Sequence, residues 1–294
     1  MKKIEIIDKT TSENLSLAYS DYGKGQPIVL LSGWPLSREM WEYQLESLVE
    51  AGYRVIKYDR RGFGASSKPW GGYDYDTLTN DLNEIIIQLA LQDVILIGFS
   101  MGGGEVVRYV SQYGPDNIAG IVLISSIIPY MKKTADNPEG VDAVVFEDMI
   151  KAIQNDRIGF LDEFGKKFFG VDEVDTPVST PLLNYYLQMG SEASQRSTVE
   201  CAKSFSSTDF RSDVEKITVP VLIIHGDGDS TVPIDASSNR TARLLPTAEY
   251  KIYKGAPHGL FYTHREKLNT DLLSFIKNNA TKAETKVPEK EVAF

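Results

Sequence analysis

The sequence predicts a doubly wound α/β fold, a mostly parallel sheet carrying an inserted helical cap. Apolar runs of strand length recur along the chain, helical patterns follow most of them, and this alternation stops once and then resumes. A length of 294 residues suits one large core with an insertion as well as two domains. The sheet pattern continues on both sides of the break, which favours the insertion. Hydrophobic residues at 42% and charged residues at 24% exclude wholesale disorder, a collagen-like repeat and a coiled coil.

The first element is a strand at 1–7. Its basic start resembles the opening of a signal peptide, but Glu5 and Asp8 interrupt any apolar h-region. Strand-length apolar runs follow at 27–31, 53–58, 94–97, 118–124 and 221–224, with a less apolar one at 249–253. Between the second and third strands, residues 38–51 place Met40, Trp41, Leu45 and Leu48 at helical spacing, and Gly52 is a stop signal. Helical patterns also cover 77–91 and 101–113. The alternation breaks after Ile127 and resumes near Pro220, and the stretch between is rich in Phe and Tyr with helical patterns at 141–154 and 158–169. The expected organisation is therefore a core of 1–127 and 218–279, a helical cap at 128–217, and a polar tail at 280–294 whose composition predicts disorder.

Composition also limits the partners. Lys plus Arg number 31 against 41 for Asp plus Glu, a formal charge of -10, which repels nucleic-acid phosphates and anionic membrane surfaces. No segment reaches the roughly 18 to 20 uninterrupted apolar residues that cross a bilayer, so the expectation is a soluble, cytoplasmic protein with no nucleic-acid or membrane partner. One cysteine, Cys201, excludes an internal disulfide, and three histidines without a second thiol give no zinc-ligand spacing, so no metal or other cofactor is expected.

The chemistry concentrates at strand ends. The strand at 94–97 runs into Gly98-Phe99-Ser100-Met101-Gly102, a G-x-S-x-G pattern in the strand-turn-helix context that gives it meaning. Ser100 would project from the carboxyl end of the sheet, and the Met101 N–H at the helix start could face an oxyanion. No G-K-[ST] follows, which argues against a phosphate loop. A serine needs a base, and histidine titrates in the right range. His258, in the loop Gly255-Ala256-Pro257-His258-Gly259 after the last strand, has the right position. His225, ending a strand, reads as a satisfied structural histidine, and His264 as a surface residue. The orienting acid comes from Gly226-Asp227-Gly228-Asp229, where spacing favours Asp229 mildly and Asp227 also suits a turn. A second oxyanion donor is offered by the N–H of Trp34 in Ser32-Gly33-Trp34-Pro35, although the same segment also reads as a turn with a core tryptophan.

Together these segments, with Tyr58-Asp59-Arg60-Arg61-Gly62-Phe63-Gly64, resemble the α/β-hydrolase family, and within it the cofactor-free haloperoxidase, perhydrolase and aryl esterase branch. The resemblance covers residues 15–279, and five segments in order are far more specific than any one. It implies Ser100 as nucleophile, Asp229 rather than Asp227 as acid, His258 as base, and Trp34 and Met101 as oxyanion donors. It further implies an aromatic-lined acyl pocket under the cap, at Trp34, Phe146, Phe160, Phe164 and Phe205, with Thr231 and Val232 beside the acid. One departure stands out: relatives usually carry His-Gly where this chain has Ser32-Gly33.

The implied activity is hydrolysis of small neutral carboxylic esters through an acyl-enzyme. Hydrogen peroxide in place of water would give a peracid that oxidises halide without a metal. Lactone or carbon–carbon bond hydrolysis on the same scaffold, or a non-catalytic ligand-binding member, are the alternatives. Dehalogenase and epoxide-hydrolase relatives use an Asp nucleophile where this chain has Ser100. The implied partners are a small-molecule ester and peroxide, and the resemblance permits a homo-oligomer.

Overall fold

The computed structural model describes residues 1–171 and 178–279. Its sheet has eight strands: β1 (Lys2–Ile7), β2 (Asn14–Tyr22), β3 (Pro27–Leu31), β4 (Arg54–Tyr58), β5 (Val94–Phe99), β6 (Ile118–Ile124), β7 (Val221–Gly226) and β8 (Glu249–Tyr253). Their spatial order is β1-β2-β4-β3-β5-β6-β7-β8. β1 and β2 form an antiparallel pair and β2 meets β4 antiparallel, while every later pairing is parallel. Every residue of β3, β5 and β7 is buried. Their continuous apolar runs thus reflect helices on both faces of a parallel sheet.

Seven of the eight strands coincide with the runs read from sequence. β2 does not, for a physical reason: it pairs antiparallel near the sheet edge and alternates buried Leu15 and Leu17 with the more exposed Asn14 and Ser16, so it has no apolar run to detect.

Helices α1 (Glu42–Glu50), α2 (Tyr75–Gln88) and α3 (Met101–Tyr113) connect the first parallel strands. Met40, Trp41 and Leu48 join the apolar layer on one face, together with Leu268 and Leu272 of the C-terminal helix. Leu78, Leu82, Val106 and Val107 join the layer on the other. From β3 the chain steps outward to β4 and then returns to the far side of β3 as β5. The connections beside β3 therefore leave on opposite faces, which opens a crevice at the carboxyl ends of β3 and β5.

Between β6 and β7 the described residues hold no strand. They form α4 (Ala143–Asn155), α5 (Arg157–Phe168), α6 (Thr180–Ser191), α7 (Gln195–Ser207) and the short α8 (Arg211–Val214). The sequence patterns at 141–154 and 158–169 correspond to α4 and α5. After β7 come α9 (Ser238–Leu244), and after β8 α10 (Leu260–Thr263) and α11 (Arg265–Asn279). The tail expected at 280–294 lies outside the described residues. No helix among those described is long and apolar enough to cross a membrane.

The sheet edge is tied to the helical layer by a buried cation. Arg61 makes a bidentate pair with Asp81 of α2 at 2.6 Å for each bond, and its remaining Nη1 reaches Asp8 in the β1–β2 turn. All three are nearly fully buried. The guanidinium and the N–H groups of Thr10 and Thr11 hold the Asp8 carboxyl at about 2 against the upward push of burial. Replacing Arg61 with Met strands two buried carboxylates without their cation, and unfolding in urea should show a loss of about 3–5 kcal/mol.

Candidate active site

β5 ends at Phe99 and α3 begins at Met101, so Ser100 alone makes the turn from strand to helix. Its backbone sits at φ 52° and ψ -116°, a region that a residue with a Cβ rarely occupies. Two hydrogen bonds hold it there: Ser100 N–H donates to the Ile124 carbonyl at 2.8 Å, and Gly103 N–H donates to the Ser100 carbonyl at 3.1 Å. The flanking glycines are sterically required. A Cβ on Gly98 would lie 2.6 Å from the Gly102 carbonyl oxygen, and one on Gly102 would lie 2.6 Å from that of Leu31. Strand, helix and the carboxyl end of β3 meet here with no room to spare.

His258 lies across from this turn, in the loop after β8. Its Nε2 is 3.0 Å from Ser100 Oγ and its Nδ1 is 2.6 Å from Asp229 Oδ2. The other carboxylate oxygen of Asp229 accepts the N–H groups of Thr231 at 2.9 Å and Val232 at 2.7 Å. Burial alone would raise the Asp229 carboxyl, but His258 and His225 together hold it well below the usual carboxylate range. The rings of Phe99 and Phe168 pack on His258 with centroids 4.9 and 4.8 Å away. Asp227 is exposed and accepts the Gly255 N–H, tying the acid-bearing loop to the histidine-bearing one. Of the two aspartates that the sequence offered, Asp229 is the one in contact with His258.

On the opposite side of Ser100 the segment after β3 approaches closely. A Cβ on Gly33 would lie 3.1 Å from the Ser100 Cβ and 2.5 Å from the Phe99 ring. Among the described residues, the backbone N–H groups of Trp34 and Met101 donate to no protein acceptor. Both remain available to a ligand oxygen. The peptide joining Trp34 to Pro35 is cis. Ser32, at the position where relatives usually have histidine, donates its hydroxyl to the Ser37 carbonyl at 3.0 Å, and its own carbonyl accepts Arg60 Nη2 at 2.6 Å. Arg60 is fixed in turn by Glu105 of α3, with Nε 2.7 Å from Oε1, and Tyr58 donates to the other Glu105 oxygen at 3.1 Å.

Between the crevice and the inserted helices lies a cavity of about 500 Å³ with Ser100 and His258 in its wall. All seven residues expected to line a pocket do so: Trp34, Phe146, Phe160, Phe164, Phe205, Thr231 and Val232. The Trp34 ring is held by those of Phe160, Phe164 and Phe205 at 6.4, 5.3 and 5.6 Å, and its Nε1–H donates to the Thr198 carbonyl of α7 at 3.0 Å. The expected lining left out most of the aliphatic part of the wall, including Ile127, Met131, Val141, Val145, Met149 and Ala152. For Val145, Met149 and Ala152 the helical spacing along α4 with Phe146 was the available signal. Exposed Asp148, Glu163 and Lys167 contribute charge to the same wall.

The other singled-out residues lie outside the cavity. His225 is satisfied, as its position suggested, by the Ser238 hydroxyl and the Val232 carbonyl. His264 is half-buried rather than a free surface residue: its ring packs toward Tyr253 and its Nδ1 lies 2.9 Å from Thr263 Oγ1. Burial lowers its pKa, with help from nearby Lys267. Cys201 is fully buried on α7, and burial pushes its thiol up to about 12, which leaves it protonated and unreactive. Among the described residues no three His, Cys, Asp or Glu side chains converge as a metal site would need.

A serine at a one-residue strand-to-helix turn, facing a histidine at the carboxyl edge of a mostly parallel sheet, is the architecture of an α/β hydrolase. The chain belongs to that family: the alpha/beta hydrolase fold matches residues 26–265. It is 39% identical over 269 residues to a non-heme chloroperoxidase of Kitasatospora aureofaciens, covering 91% of this chain and 98% of that one. It is 35% identical over 272 residues to a bifunctional esterase/perhydrolase of Acinetobacter calcoaceticus, covering 92% and 99%. Among solved structures, a bromoperoxidase from Bacillus anthracis superposes with a TM-score of 0.89 at 47% identity, covering 94% of this chain and all of that one.

The Phe168 ring closes the site from behind, touching Phe99, His258, Phe164 and Phe261. Phe168→Ala should lower the unfolding free energy by about 3–5 kcal/mol, measured by urea titration.

Proposed function

We propose that this protein is a serine hydrolase of small neutral carboxylic esters that can also transfer its acyl group to hydrogen peroxide. The observation that carries the reading is the continuous line Asp229–His258–Ser100, with contacts of 2.6 and 3.0 Å, opening on an apolar cavity. Ser100 Oγ attacks the acyl carbonyl while His258 Nε2 takes its proton. Asp229 holds the imidazole with Nε2 toward Ser100 and stabilises the imidazolium. The N–H groups of Trp34 and Met101 receive the carbonyl oxygen as it becomes an oxyanion. His258 then returns the proton to the departing alcohol, and water, deprotonated by His258, cleaves the acyl-enzyme.

If hydrogen peroxide attacks in place of water, the acyl-enzyme yields a peracid and free Ser100. Transfer of the peracid's terminal OH to halide gives hypohalous acid and the parent carboxylate, and the chloroperoxidase and perhydrolase names of the relatives support this second outcome. In this reading residues 128–217 form the cap, whose α4, α5 and α7 supply most of the apolar wall around the acyl chain. That insertion holds 16 acidic against 10 basic residues, which disfavours anionic substrates. A single buried thiol also suits a cytoplasmic setting.

Ser100→Ala should reduce hydrolysis of an activated aryl ester by about 10³-fold or more. Retention of the wild-type rate would remove the mechanism. Wild-type protein should label covalently at Ser100 with a fluorophosphonate, and absence of label would instead favour a ligand-binding role. A panel of aryl esters of increasing acyl length, run with and without peroxide and acetate, should show peracid formation that disappears in Ser100→Ala.

A further inference from the structure

The mechanism above leaves one fully buried imidazole unused. His225 ends β7, and its Nε2 lies 2.9 Å from the Val232 carbonyl oxygen and 3.1 Å from Asp229 Oδ2. A carbonyl and an ionised carboxylate can only accept, so the ring proton must sit on Nε2. Nδ1 lies 2.6 Å from the Ser238 hydroxyl of α9, its hydrogen-bond partner on the other side of the ring. Ser238 is itself buried, so the ring is held by protein neighbours on both nitrogens and not by solvent.

Asp229 is consequently held from four directions. Two backbone N–H groups occupy Oδ1, His258 Nδ1 is hydrogen-bonded to Oδ2 at 2.6 Å, and His225 Nε2, bonded to the Val232 carbonyl, also stands 3.1 Å from Oδ2. We propose that His225 is a positioning residue for the reaction: its Nε2–H shares Asp229 Oδ2 with His258, fixing the carboxylate's rotation and limiting how strongly it pulls on the His258 proton. The proposal rests on the reading of Ser100, His258 and Asp229 as the reacting line, and it extends that line to Ser238–His225–Asp229–His258–Ser100. The titratable groups facing Asp229 are His225 from the end of β7 and His258 from the loop after β8; the rings flanking His258, Phe99 and Phe168, carry no charge.

The sign of the effect follows from counting donors. With His225 removed, Oδ2 keeps its bond to His258 and loses the electropositive Nε2–H 3.1 Å away, so the carboxylate becomes the stronger acceptor for the His258 N–H. The protonated His258 is then favoured, and the acid limb of the pH profile moves to higher pH. A residue that only filled the core would lower stability without moving that limb.

The test compares His225→Leu with His225→Gln, whose amide N–H can reach the place of Nε2, on an activated aryl ester across pH. His225→Leu should lower kcat about tenfold with KM within about twofold, the loss of one hydrogen bond to a charged group, and shift the acid limb upward. His225→Gln should recover most of both. In parallel, the low-field proton resonance of the His258–Asp229 hydrogen bond should move in His225→Leu and return in His225→Gln. An unchanged limb and resonance in His225→Leu, whatever its Tm, overturns the proposal, as does a Gln variant no better than Leu. Should His225→Leu not fold, Ser238→Ala leaves the imidazole in place and should shift the limb in the same direction with about a threefold loss of kcat; no shift overturns the proposal. A wild-type protein inactive on every ester defeats the esterase reading instead, and the resonance comparison still tests the role of His225.

Discussion

The one-residue turn at Ser100 is the constraint on which the rest depends. A side chain held at φ 52° costs on the order of 1–3 kcal/mol and persists only where the surroundings over-determine it. Here they do, because the Ser100 N–H is bound to β6, the first turn of α3 closes on the Ser100 carbonyl, and the Leu31 carbonyl of β3 abuts Gly102. Three parallel strands therefore have to lie in their observed order before the serine can stand clear of the sheet. The strain is local, but the scaffold that holds it is the whole centre of the fold.

The same centre is braced by a buried ion pair. Arg60 reaches Glu105, on the helix that follows Ser100, and the Ser32 carbonyl, at the head of the segment that carries the Trp34 N–H. One guanidinium thus ties the two prospective oxyanion donors to a common frame. Buried pairs of this kind contribute little net stability, because desolvating the charges offsets their attraction. Their value is geometric, since a guanidinium bonded along fixed directions permits one placement of loop against helix. It also answers the exchange of histidine for Ser32: the hydroxyl at that position is satisfied within the loop by the Ser37 carbonyl, and the carbonyl is satisfied by Arg60.

Most of this arrangement was legible in the chain, and what was not has a common cause. Strands buried on both faces announce themselves as apolar runs, and Gly98-Phe99-Ser100-Met101-Gly102 is legible because sterics at a sharp turn dictate the residue types. β2 was illegible because an antiparallel strand near an edge has no such run. Asp59-Arg60-Arg61 stood out as a motif, but its partners could not be read, since Arg61 pairs with Asp8 and Asp81 at separations of 53 and 20 residues. His225 looked like an ordinary structural histidine for the same reason: its bond to Ser238 is visible only once α9 folds back beneath β7. Local rules name the residues, and tertiary closure chooses their partners.

Among the inserted helices, α5 belongs to the site as much as to the roof. Phe160, Phe164 and Phe168 recur every four residues and so form one stripe along the helix, with successive ring centroids 5.6 and 5.7 Å apart. The upper two rings press on Trp34, whose backbone N–H has no protein acceptor among the described residues, and the lowest packs on His258. Beyond that ring, the Phe168 carbonyl accepts the Gly259 N–H at 2.7 Å, fixing the backbone next to His258. One rigid helix therefore sets the spacing between the two sides of the reaction centre. Any displacement of α5 that widens the cavity for a longer acyl chain must also move the tryptophan or the histidine. Acyl-chain selection and transition-state geometry are mechanically coupled here, so changes to the pocket stripe will register in kcat as well as in KM.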